Sequence, residues 1–73
     1  MQKIEFSLRG EEFIELNKML KLLQIAQTGG HAKLLIQDGL IALNGEQESR
    51  IRAKLRTGDV VQVEDEVEIL IVK

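Results

Sequence analysis

Residues 28–45, reading TGGHAKLLIQDGLIALNG, constrain the fold of this chain more than any other stretch. Thr28 offers a side-chain oxygen to the free N–H groups of a helix that starts beside it, and Gly39 supplies a left-handed stop, so the spacing predicts a helix running through Gln37 or Asp38. Ala32, Leu35 and Ile36 share one face as its buried stripe. Ile41 to Leu43 then reads as a short apolar strand. It is closed by Asn44-Gly45, a tight-turn pair in which both residues tolerate positive φ.

The flanking segments follow the same logic. Lys3 to Leu8 alternates, with Ile4, Phe6 and Leu8 on one face and Lys3, Glu5 and Ser7 on the other, the period of a half-buried strand. Glu12 to Leu23 places Phe13, Leu16, Leu20 and Leu23 at helical spacing, with Glu11, Glu12 and Glu15 early and Lys18 and Lys21 late, as the helix dipole favours. Beyond Gly45 a mobile polar loop is expected through Ser49, then a strand over residues 50–56 and a turn at Thr57-Gly58-Asp59. Val60 to Glu64 is read as a strand, Asp65-Glu66 as a tight turn and Val67 to Val72 as the last strand. The fold class is α+β, with two short helices packed on a small, mainly antiparallel sheet of four to five strands. With no proline, no low-complexity linker and no internal repeat, residues 1–73 are expected to form one domain.

Composition narrows the chemistry. A chain of 73 residues buries only about 60% of its unfolded surface, which leaves little room for a deep pocket. It has no cysteine and one histidine, so disulfides, thiolate metal sites and multi-histidine zinc sites are excluded. The acids Glu64, Asp65, Glu66 and Glu68 lack the spacing of a calcium loop. No metal or other cofactor is expected. Ser7, Ser49, His31 and scattered carboxylates make no nucleophile-and-base arrangement, and there is no phosphate-binding glycine loop of the nucleotide-hydrolase kind, so no catalytic residue is assigned. No apolar run reaches signal-peptide length or the roughly 20 residues that cross a bilayer, and the protein is expected to be soluble, cytoplasmic and away from membranes.

Net charge is −2, which alone argues against nucleic acid. The distribution argues the other way: residues 18–56 carry a net +4, between ends of −2 and −4. Arg50, Arg52, Lys54 and Arg56 recur at every second position, which on an extended strand projects all four to one side at about 6.6 Å steps while Ile51, Ala53 and Leu55 face inward. Such a row is costly without a polyanion to relieve its repulsion and release counterions. The blander reading is an edge strand guarded by charge, for which one or two lysines suffice. Thr28, Gly29 and Gly30 open a helix whose unpaired N–H groups suit a phosphate, with His31 and Lys33 close by. Lys18 and Lys21 extend along the first helix. There is no tryptophan or tyrosine, and Phe6 and Phe13 are read as core, so base-stacking platforms are not expected. Shape, 2′-hydroxyl and phosphate contacts remain.

The ordered combination of LNKMLKLLQIAQTGGHAKLLIQDGLIALNG and the later TGDVVQVE resembles the alpha-L RNA-binding domain. That domain was first described in the fourth small-subunit ribosomal protein and is also found in pseudouridine synthases, tyrosyl-tRNA synthetases and a ribosome-associated heat-shock protein. The resemblance covers about residues 15–64 and is nearest the small stand-alone bacterial members. It implies a non-catalytic protein that binds structured RNA, ribosomal or tRNA-like, through the two helices and the adjoining hairpin, with the ribosome or its subunits as partner; with the charge pattern, the expected RNA-binding residues are Lys18, Lys21, Thr28, Gly29, Gly30, His31, Lys33, Arg50, Arg52, Lys54 and Arg56. Members of the family often carry an acidic residue at the position of His31, where it would complete a capping box with Thr28, so the box is expected to be absent here. A monomer is expected. The rival readings are a protein-binding adaptor without RNA and a β-grasp carrier, the latter disfavoured because the sequence ends Ile71-Val72-Lys73 rather than Gly-Gly.

Overall fold

Along the chain, a computed structural model describing residues 1–73 carries β1 (Gln2–Ser7), β2 (Ile14–Glu15), α1 (Leu16–Leu22), α2 (Gly29–Gln37), β3 (Ile41–Leu43), β4 (Glu46–Gln47), β5 (Lys54–Leu55), β6 (Val60–Val63) and β7 (Val67–Val72). Five strands form one sheet in the order β1-β7-β6-β3-β4, with β1 parallel to β7 and the remaining pairs antiparallel. The strands β2 and β5 form a separate antiparallel ladder. The α+β architecture expected from the sequence is the one observed.

Local signals account for much of it. Thr28 caps α2, Gly39 ends it at φ 77°, and Asn44 and Gly45 turn the β3–β4 hairpin at φ 53° and 86°. At Gly39 the left-handed backbone disfavours a side chain, and a Cβ there would lie 2.6 Å from Gln47 Nε2, the end of an exposed side chain that would have to shift. The core gathers Ile41, Val61, Val63, Ile69 and Ile71 from the sheet with Leu16, Met19 and Leu20 of α1 and Ala32 and Ile36 of α2. Ile69 sits in register with Val61 on one side and Ile4 on the other. Each large side chain so buried contributes about 1.5–3 kcal/mol.

Two expectations are corrected. The first helix starts at Leu16, not Glu12, and no acidic residue lies in its first turn. Ile14 and Glu15 instead pair with Leu55 and Lys54. The start is set by tertiary contacts: Leu16 N–H donates to the Ala53 carbonyl at 2.9 Å and Asn17 N–H to that of Ile51 at 3.1 Å, while no side chain caps the helix. The segment after Gly45 is not a mobile polar loop, since β4 pairs with β3 and Glu48 is buried.

Candidate nucleic-acid interface

The mouth of α2 is built by Thr28 and His31. Thr28 Oγ1 accepts the His31 N–H at 3.0 Å, and His31 Nδ1 accepts the Gln27 N–H at 3.2 Å. A reciprocal cap is therefore present where none was expected: the imidazole takes the place of the carboxylate and reaches one residue further back. With the His31 N–H taken by Thr28 Oγ1, the amides of Gly29 and Gly30 have no acceptor in the protein. No packing reason calls for glycine at these two positions. A Cβ at Gly29 would meet nothing within 4 Å, and one at Gly30 only Thr28 Oγ1 at 3.8 Å. What glycine adds here is an open approach to the two free amides.

The basic stretch departs from the predicted strand. Only Lys54 and Leu55 are paired in a ladder, and a turn at Ile51-Arg52 brings the Ala53 N–H to the Arg50 carbonyl at 3.3 Å. The reason is the start of α1, whose first amides take the Ile51 and Ala53 carbonyls and so bend the segment around the helix end. The alternation survives as a burial pattern: Ala53 and Leu55 are buried and Ile51 is half-buried, while Arg50, Arg52, Lys54 and Arg56 are exposed.

The four cations have different surroundings. Arg50 is bound by Glu48, with Nε to Oε2 and Nη2 to Oε1 both at 3.1 Å, and its backbone N–H also donates to Oε2 at 2.9 Å. Those hydrogen bonds hold the Glu48 carboxyl below its ordinary value even though burial pushes the other way. Lys54 Nζ lies 4.9 Å and Arg56 Cζ 5.6 Å from the centroid of the Phe13 ring, contacts worth about 0.5–1 kcal/mol at an exposed site. Arg52 has no carboxylate within 4.0 Å, and the same holds for Lys21, Lys33, Lys54 and Arg56. Lys18 approaches Glu15 at 3.8 Å, an exposed pair of little energetic weight.

These residues adjoin the two ends of α1. Thr28, Gly29, Gly30 and His31 follow the carboxyl end of α1, where the Ile25 and Ala26 amides fold back onto the Leu20 carbonyl. Arg50 to Arg56 adjoin the amino end of the same helix, through the bonds to Ile51 and Ala53. The length of α1, about 10 Å for its seven residues, separates them. Lys18 and Lys21 lie on that helix, Lys21 in the last turn and so toward α2.

Three residues escaped the sequence reading. Phe13 lies outside the apolar cluster and carries two cations instead of joining the core. Glu48 pairs with the exposed Arg50 guanidinium, and Glu15, in register with Lys54, contacts Lys18. The one available signal was the lack of a capping side chain near Glu12, which argued for a later helix start.

Known proteins share this fold. A family model described as the S4 domain matches residues 6–72. A protein of Bacillus subtilis (strain 168) named "Probable ribosome maturation protein RlbA" is 40% identical over 53 residues, which are 73% of this chain and 75% of that protein. The solution structure of YbcJ from E. coli, described as revealing an alpha-L motif involved in RNA binding, superposes with a TM-score of 0.66 at 31% identity, over 90% of this chain and 85% of that one.

Proposed function

The chain belongs to the S4 domain family, and from that premise we propose that it is a non-catalytic RNA-binding protein of the cytoplasm. Its target is folded ribosomal RNA, or an assembly intermediate of the ribosome, held by phosphate and shape contacts. The observation that carries the reading is the mouth of α2, where two amides without acceptors stand in open space at the positive end of a helix. Thr28 to His31 receive a phosphate there. Lys21 and Lys33 add charge nearby, and Arg52, Lys54 and Arg56 engage the backbone about one helix length away. Lys18 and Arg50 contribute less, because each already faces a carboxylate. The name of the B. subtilis relative and the description of YbcJ support the ribosomal and RNA parts of this reading. Residues 1–73 act as one domain in it.

The test is a titration of the purified protein against ribosomal RNA and isolated ribosomal subunits over a range of salt. With about four phosphates neutralised, log affinity falls against log salt with a slope near −3 on the single-strand coefficient. Reversing Arg52, Lys54 and Arg56 to glutamate largely abolishes binding, and so does reversing Lys21 and Lys33. Unchanged affinity in both variants refutes the assignment.

A further inference from the structure

The sheet ends in two unlike edges. On one side β4 is two residues long; on the other β1 is six, contains no proline and has no neighbour beyond it. In the parallel ladder with β7 the even-numbered residues face inward, as the bonds from Gln2 N–H to the Glu66 carbonyl and from Leu8 N–H to that of Val72 show. The peptide groups of Lys3, Glu5 and Ser7 therefore point outward, a row of unpaired donors and acceptors. The inward-facing side chains of β1 are also incompletely covered: Ile4 and Phe6 pack on the core but stay half-exposed.

We propose that this edge pairs antiparallel with β1 of a second copy of the chain, across a two-fold axis at Ile4, joining two five-stranded sheets into one. The charges select the register. Outward peptide groups must meet outward peptide groups, so only odd residues can sit opposite odd ones. Placing Lys3 opposite the partner's Lys3, or Glu5 opposite the partner's Glu5, sets like charges face to face. The intermediate register places Lys3 opposite the partner's Glu5 and Glu5 opposite the partner's Lys3, two attractive pairs related by symmetry. It also brings Ile4 against the partner's Ile4, covering part of the apolar surface that the monomer leaves open. Lys3 is available for this role, since its contact with Glu68 is long at 3.9 Å and its side chain is 77% exposed. Where the sequence alone led to the expectation of a monomer, the sheet edge is self-complementary. A seam this short belongs to the small interfaces, below about 1,200 Å² in total, so the dimer is a weak one that forms at high protein concentration.

The experiment is sedimentation of the full chain from micromolar to millimolar concentration, with amide exchange read in parallel. Association with concentration and slowed exchange at Lys3 and Glu5 are expected. Glu5→Lys and Lys3→Glu, each checked for native circular dichroism, weaken self-association about tenfold. An equimolar mixture of the two restores it, because every seam pair is again of opposite sign. A wild-type protein that stays monomeric throughout overturns the proposal. So do single variants that associate as well as wild type, or a mixture that associates no better than its components.

Discussion

Asn44 and Asp59 are joined side chain to side chain, Asn44 Nδ2 donating to Asp59 Oδ1 at 3.1 Å, while Asn44 Oδ1 accepts the Val60 N–H at 2.9 Å. The other oxygen of Asp59 accepts the Arg56 N–H at 2.8 Å. The tip of the β3–β4 hairpin and the turn before β6 are thus one structural unit. That unit sets the backbone of Arg56, one of the two cations over Phe13.

Replacing Asn44 by alanine is expected to cost about 2 kcal/mol, from left-handed backbone strain and the lost hydrogen bonds together. Asn44→Gly separates the two, because glycine relieves the strain at φ 53° and loses only the bonds. Denaturant midpoints should therefore rank wild type above Asn44→Gly, with Asn44→Ala lowest. Equal midpoints for the two variants would show that the φ carries no cost.

Gly29→Ala and Gly30→Ala should move stability and binding in opposite directions. Neither new methyl group meets an obstacle, so each variant gains about 0.4–1 kcal/mol because alanine restricts the unfolded chain more than glycine does. The same methyl groups crowd the free amides and lower RNA affinity. Thermal melts and RNA titrations on the same samples check both halves, and stabilised variants with undiminished affinity would remove α2 from the interface.

Asn17 Oδ1 is buried without a hydrogen-bond partner. An unsatisfied buried acceptor costs about 1–3 kcal/mol. Asn17→Ala is accordingly expected to match or exceed wild-type stability, although it truncates a partly buried side chain. A clear drop in the denaturant midpoint would contradict this.

Glu48 predicts an acid-sensitive leg of stability. Its folded carboxyl titrates below the ordinary 4.5, chiefly through its side-chain hydrogen bonds with Arg50. The carboxylate thus favours the folded state above that value, and the contribution is lost as pH falls below it through the lowered folded value. As pH is lowered through and below 4.5, melting temperature should fall more steeply for wild type than for Glu48→Gln, which lacks the titrating group. At neutral pH the variant should melt lower, with the Arg50 guanidinium left unpaired.

The features legible in the sequence are those decided within one turn of chain. The Thr28 cap, the Gly39 stop and the Asn44-Gly45 turn depend on residues at most four positions apart, and each stands where the local pattern put it. The mouth of α2, as half of the candidate site, was readable for the same reason. The start of α1, the shape of residues 50–56 and the pairing of β4 were decided by tertiary structure. They depend on bonds such as Leu16 N–H to the Ala53 carbonyl and Glu48 N–H to that of Ile41, which close only after distant segments have packed. Periodicity foretells most of the side chains that become buried, because burial follows hydrophobicity, but it also assigned Phe13 to a core that excludes it. It cannot foretell whether a backbone amide finds its acceptor in the next turn of a helix or across the protein, and that choice bent the basic segment and drew Arg50 to Glu48.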